Sequence, residues 1–141
     1  MSQENVEVVR RWLDAWVEWF GSGRDPDQFD QLADRYMAPN VVYEEDPVWP
    51  DAGVFRGRDA VSRRFIEYID LVHVEGTSAG EVIDAGDLVL AKIRIEMLGA
   101  GAGEAVEFLW TYTVRVEDSQ VTHFRAWYDP GEALEAAGLR E

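Results

Sequence analysis

"VEFLWTYTVRV", residues 106–116, alternates over eleven positions. Val106, Phe108, Trp110, Tyr112, Val114 and Val116 fall on one side, and Glu107, Thr111, Thr113 and Arg115 on the other. A period of two is that of a strand with one face buried. Working outward, the same period recurs. Glu117–Gln120 reads as a turn into a strand over Val121–Tyr128. Upstream, Leu88–Leu98 places Val89, Ala91, Ile93, Ile95 and Met97 on one face, with Lys92, Arg94 and Glu96 on the other. Asp84-Ala85-Gly86-Asp87 is a hairpin turn, and Val74–Ile83 is the strand before it. Gly99-Ala100-Gly101-Ala102-Gly103 links two of these strands, and its glycines predict one of the most mobile parts of the chain. The second half is therefore a meander of antiparallel strands.

The first half has the helical period. Val6, Val9, Leu13, Trp16, Val17 and Phe20 recur at helical spacing, and Trp12 and Trp19 widen the stripe. A helix of about five turns fits and ends at Gly21 and Gly23. Asp25-Pro26-Asp27-Gln28 is a capping box that opens a short helix burying Phe29, Leu32, Ala33 and Tyr36. Ala38-Pro39-Asn40 ends that helix, and Val41–Glu45 is a short strand. Pro50–Gly53 is a loop, and Arg58 to about Leu71 is a third helix with Val61, Phe65 and Ile69 inward. Asp129-Pro130-Gly131-Glu132 caps a last short helix that ends near Gly138. Helices segregated from an antiparallel sheet define an α+β fold, here one domain over residues 1–141.

Composition narrows the function. The net charge is −15, from 13 basic and 28 acidic residues, and Lys92 is the only lysine. Such a chain repels phosphate backbones and anionic lipid surfaces, so neither nucleic acid nor a membrane is an expected partner. There are no cysteines, which removes disulfides, thiolate metal sites and cysteine nucleophiles. The start "MSQENVEVVRRW" lacks the basic and apolar regions of a secretory signal, and the protein reads as cytoplasmic. Six tryptophans suggest a roomy, aromatic-walled interior.

Four segments carry a resemblance: "VVRRWLDAW" in the first helix, "YMAPNVVYEEDP" into the first strand, "DAGVFRGRDAVSRRF" into the third helix, and "VTHFRAWYDPGEALEAAGL" at the end. Together they resemble the SnoaL-like branch of the NTF2-like superfamily over nearly the whole chain. The resemblance implies a cone, in which a strongly curved antiparallel sheet wraps the long first helix and leaves a pocket at its open end. It also implies dimers through the sheet. The superfamily includes polyketide cyclases, epoxide hydrolases, a steroid isomerase, dehydratases and non-catalytic members, so the site must decide the chemistry.

The steroid isomerase has its general base in a Glu-Asp-Pro word at the end of the first strand. Glu45-Asp46-Pro47 matches that word, which places Asp46 on the base. The isomerase's two hydrogen-bond donors fall on Trp12 and near Tyr112. The epoxide hydrolases use an Asp-Arg-Asp set around a water, and Asp46 and Arg125 match two of its roles.

Read by residue, Asp46 is either a general base in an apolar pocket or an acid capping the Pro47 turn. Strand parity puts Asp46 opposite Glu45, so Asp46 is expected to point into the cone while Glu45 faces solvent. The catalytic candidates are Asp46 and Tyr112. The candidate pocket lining is Trp12, Trp16, Tyr43, Trp49, Phe65, Phe108, Trp110, Arg125 and Trp127. His123 and Arg125 share a strand face that is either pocket wall or an outer, dimer-forming surface. Two histidines, His73 and His123, have no ligand spacing, and nothing supports Mg²⁺ at Glu44, Glu45, Asp46 and Asp51, so no metal and no cofactor are expected. Leu88, Leu90, Leu98 and Leu109 fall on the polar sides of their strands and predict a homodimer through the sheet. Two functions fit: an enzyme doing cofactor-free acid/base chemistry on an apolar, ring-bearing molecule, or a non-catalytic module that binds a small ligand.

Overall fold

The computed structural model describes residues 2–21, 25–71, 73–98 and 105–139. Helix α1 (Ser2–Gly21) is followed by α2 (Pro26–Tyr36), strand β1 (Met37–Glu44), β2 (Val54–Arg56), α3 (Arg58–Leu71), β3 (His73–Asp84), β4 (Val89–Leu98), β5 (Ala105–Glu117), β6 (Gln120–Trp127) and α4 (Pro130–Ala136). The turn Gly99–Gly103 lies outside the described residues.

One six-stranded sheet has the order β2-β1-β6-β5-β4-β3. Strands β3 to β6 form the antiparallel meander. The expectation of a wholly antiparallel sheet is corrected at one seam: β1 runs parallel to β6, so the sheet is mixed. The connection between them spans the meander, which leaves the outer edge of β6 for β1 to join. Strand β1 also begins earlier than expected and runs through Ala38-Pro39-Asn40. Its pairing with β6 shifts between Met37 and Val42, and this irregularity accommodates a proline that cannot donate to a ladder. The three-residue β2, too short to show a period, pairs with Val42, Tyr43 and Glu44.

Helix α1 packs across β3, β4, β5 and β6. It buries Val9, Trp12, Leu13, Trp16, Trp19 and Phe20, the stripe its spacing dictates. The Trp19 indole N–H donates to the Asp25 carbonyl at 2.8 Å, which ties the end of α1 to the cap of α2. Asp25 in turn accepts from the Asp27 amide at 3.0 Å, as an N-cap does. The core is aromatic. Trp12 meets Phe124 edge-on with centroids 4.9 Å apart, Trp16 meets Phe65 at 4.8 Å and 90°, and Tyr43 stacks on Phe124 at 4.6 Å. Each such pair adds about 0.5–1.5 kcal/mol beyond area burial.

Leu90, outward by parity, is fully buried within its own chain, so it is not one of the leucines left for a partner. Leu109 is 43% exposed. No helix among the described residues is long and apolar enough to cross a membrane.

Candidate functional site

A cavity of about 270 Å³ opens at one end of the sheet. Its inner wall comes from Trp16 and Phe20 of α1, Tyr43 of β1, Phe65 of α3, and Ile95 and Tyr112 of β4 and β5. Its mouth is formed by Trp49 and Pro50 of the β1–β2 loop, Leu109 and Trp110 of β5, and Trp127 and Tyr128 at the end of β6. Trp49 and Trp110 lie with centroids 5.0 Å apart at 32°, and Tyr128 meets Trp49 edge-on at 6.4 Å. The polar lining is Glu45, Arg64 and Asp51.

Parity explains which acid enters. Tyr43 faces the core and stacks on Phe124, so Glu45, two residues on, follows it to the same side. Its side chain is 8% exposed. Arg64 holds it in a two-point grip, with Nε to Oε2 at 2.8 Å and Nη2 to Oε1 at 2.7 Å, and the Gly53 amide adds a contact at 3.3 Å. Arg64 also lies 3.6 Å from the Asp51 carboxylate and over the Phe55 ring at 5.1 Å. The grip of Glu45 raises the Arg64 guanidinium above its already high ordinary value. Tyr43 is held well above the usual phenol range, first by burial, then by the nearby Tyr112 and by the charge of Glu45. Tyr43 is thus a donor at neutral pH, and Glu45 is a buried, paired carboxylate.

Asp46 has a different place: Glu45, expected in solvent, lines the cavity, and Asp46 is buried away from that lining. β1 ends at Glu44, and the chain turns at Asp46, where the Trp49 amide donates to the Asp46 carbonyl at 3.1 Å. The Glu45 amide still donates to the Gly53 carbonyl at 3.0 Å, so pairing and alternation reach Glu45 and lapse at Asp46. The Asp46 carboxylate is outside the cavity lining and only 6% exposed. Oδ1 accepts from the Val48 amide at 3.1 Å and Oδ2 from the Tyr128 amide at 3.0 Å. The capping alternative describes this geometry, and Asp46 does not face the cavity.

Trp12 is fully buried in the core, packed on Trp16 and Phe124, and is not part of the lining. Arg125 is on the outer sheet face, 3.9 Å from Glu44 and with its guanidinium 4.0 Å over the Trp127 ring. His123 is beside it, its Nε2 2.9 Å from Glu44. Phe124 and Ala126 took the inner face, so parity sent His123 and Arg125 outward. The structure brings Trp16, Tyr43, Trp49, Phe65, Trp110, Tyr112 and Trp127 to one cavity. The Phe108 side chain is outside the described set. Sequence reasoning missed Glu45, Arg64 and Asp51. Glu45 was findable from its two-residue spacing to Tyr43, and Arg64 from its three-residue spacing to the inward Val61. Among the described residues no three His, Asp or Glu side chains converge as a metal site.

A family model for the SnoaL-like domain matches residues 9–124. Among curated proteins none matches the chain. Several solved structures share the fold. A Mesorhizobium loti protein assigned as a SnoaL-like polyketide cyclase superposes with a TM-score of 0.67 at 19% identity, over 86% of this chain and 97% of that one. A Catenulispora acidiphila protein of ketosteroid isomerase-like fold, in complex with trimethylamine, gives 0.63 at 19% identity, over 95% and 94%. TerC, co-crystallised with polyporic acid, gives 0.66 at 16% identity, over 96% and 98%.

Proposed function

The chain belongs to the SnoaL-like family, with its α+β cone fold, and from that premise we propose that it binds a small, apolar, ring-bearing molecule in the open end of the cone. The observation that carries this reading is the cavity itself. It is walled by aromatic side chains from five elements and the β1–β2 loop, and its most buried acid, Glu45, is paired with Arg64. Flat rings gain most from such walls through dispersion and stacking, and a few placed polar groups fix their orientation. The Tyr43 and Tyr112 phenols line the cavity where an oxygen on the ring would meet them. The ligands held by TerC and by the C. acidiphila protein are in keeping with a small-molecule role for the fold.

A second reading, cofactor-free acid/base chemistry of the isomerase, cyclase or hydrolase type, is favoured by one arrangement, a buried carboxylate, Glu45, lining the same cavity as the Tyr43 and Tyr112 phenols. In that reading Glu45 takes the role first assigned to Asp46, with Tyr112 beside it as donor. Arg64 occupies both oxygens of Glu45, at 2.8 and 2.7 Å, and for that reason binding stands first. Beyond a ligand, the partner we propose is a second copy of the chain against the outer sheet face, in the cytoplasm.

N-phenyl-1-naphthylamine, an uncharged fluorescent ring compound, tests the binding reading. It should bind the wild-type chain with enhanced emission, and Ile95→Trp, which fills the inner wall, should abolish that signal. Equal binding by a folded Ile95→Trp variant sinks the assignment of this cavity.

A further inference from the structure

We infer that Asp46 is the latch of the pocket mouth: a positioning residue whose carboxylate fastens the Trp49 loop to the end of β6. The inference rests on the reading of the cavity as a ligand pocket. The two amides that Asp46 binds lie 2 and 82 residues away in sequence, and each sits beside a wall of the mouth. Val48 immediately precedes Trp49, and the amide of Tyr128 belongs to the aromatic that meets Trp49 edge-on. Within the loop the contacts are short-range, Trp49 amide to Asp46 carbonyl at 3.1 Å and Ala52 amide to Trp49 carbonyl at 3.2 Å, and on the α3 side Arg64 donates to the Asp51 carbonyl at 3.3 Å. Tyr128 is 64% exposed, so side-chain packing does little to hold it. Of the hydrogen bonds described here, only those to the Asp46 carboxylate join the two segments.

The chemistry suits a latch. A carboxylate accepts hydrogen bonds from amides about twice as strongly as a neutral acceptor does. Burial raises the stakes, because an N–H left without its acceptor in a low-dielectric site is costly. Both oxygens are used, one on each segment. Opening the mouth therefore means breaking at least one charge-assisted bond along with the Trp49–Trp110 contact. The acid in the Glu-Asp-Pro word then serves the pocket without touching its contents: Asp46 sets how long a bound molecule stays.

Asp46→Asn keeps the shape but places an NH₂ against one of the two backbone N–H groups, so one segment is released. Stopped-flow release of N-phenyl-1-naphthylamine should quicken about tenfold, the worth of one charged hydrogen bond. Association should change by no more than about twofold, since the walls themselves are intact. Amide exchange should quicken at Val48 or Tyr128 and stay unchanged at Ile93 and Val114 in the sheet centre. A simple loss of stability would instead quicken all four. If the variant does not fold, the wild-type chain decides: the latch requires the Val48 and Tyr128 amides to be protected to a similar degree, and a freely exchanging Tyr128 amide overturns it. Unchanged release together with unchanged local exchange in Asp46→Asn also overturns it. If the wild type does not take up the dye, the ligand pocket is the claim that fails, and the exchange measurements still judge the latch.

Discussion

Arg64 and Glu45 form the pair whose disruption is easiest to predict. Their side chains are 15% and 8% exposed, and removing the arginine strands a carboxylate among aromatic rings. Arg64→Met should cost about 3 kcal/mol, the low end for a broken buried pair, because some solvent reaches the site. Glu45→Gln added to Arg64→Met should recover part of that loss, since the stranded charge is gone. Urea denaturation of the single and double variants measures both. Tyr43 carries a pH dependence of defined sign. Its folded value lies above the unfolded value of about 10, so above that pH the unfolded chain sheds the phenolic proton first. Stability from this group is whole below about pH 10 and is lost as pH rises toward the folded value. Tyr43→Phe should flatten part of that alkaline decline, seen as a smaller drop in melting temperature between pH 9 and pH 11, test conditions placed roughly either side of the phenol value.

Turns and edges set the limits of the elements. The β5–β6 hairpin turns on Asp118 and Ser119, with φ of 52° and 63°. Two successive positive φ values make a turn whose twist suits a hairpin but which strains side chains with a Cβ. Ser119→Gly should therefore stabilise the chain by about 0.5–1 kcal/mol in thermal or urea unfolding, the relief of strain less the added freedom of the unfolded chain. Gly80 in β3 is the opposite case. A Cβ there would lie 3.0 Å from the Lys92 carbonyl oxygen and 3.1 Å from its Cβ, next to a register shift between Ala79 and Val82. Gly80→Ala should cost about 1–3 kcal/mol, the range for an overpacked site, by the same measurement. These two turns and strands also show what was legible. The hairpin's position could be read because Glu117–Gln120 interrupts a period-two pattern on both sides. The β3 irregularity could not, because a bulge is a mismatch between two strands and neither strand carries it alone.

At the scale of the molecule, the sheet's outer face divides. Leu90 is covered by its own chain, Leu109, at the rim shared with the cavity mouth, stays 43% exposed, and Arg94 and Glu107 pair across the surface at 3.2 Å. A two-fold dimer through this face would cover Leu109 and continue the charge pairing between copies. Sedimentation at micromolar concentration should give a single species of twice the chain's mass, and a species of monomer mass alone would remove the dimer. With a net charge of −15, the dimer brings two acidic bodies together, so adding salt should strengthen it.

The sequence by itself determined the pieces. Helical and two-residue periods fixed α1, α3 and the meander, the Asp-Pro words fixed the starts of α2 and α4, and the family words fixed how these assemble. All of these are local, since each depends on neighbours within a few residues along the chain. Tertiary structure decided the rest. Proline at position 39 reads as a stop, yet β1 runs through it, paired with β6 at Met37 before it and from Val42 to Glu44 after it. Alternation placed Glu45 and Asp46 on opposite sides, but it could not say which side was the cavity. That was fixed by Tyr43 meeting Phe124, a contact between residues 81 positions apart, and by Arg64 arriving from α3 to hold the acid that followed Tyr43 inward. Asp46 went where the strand's rule had lapsed, to the two amides whose bonds its charge could satisfy.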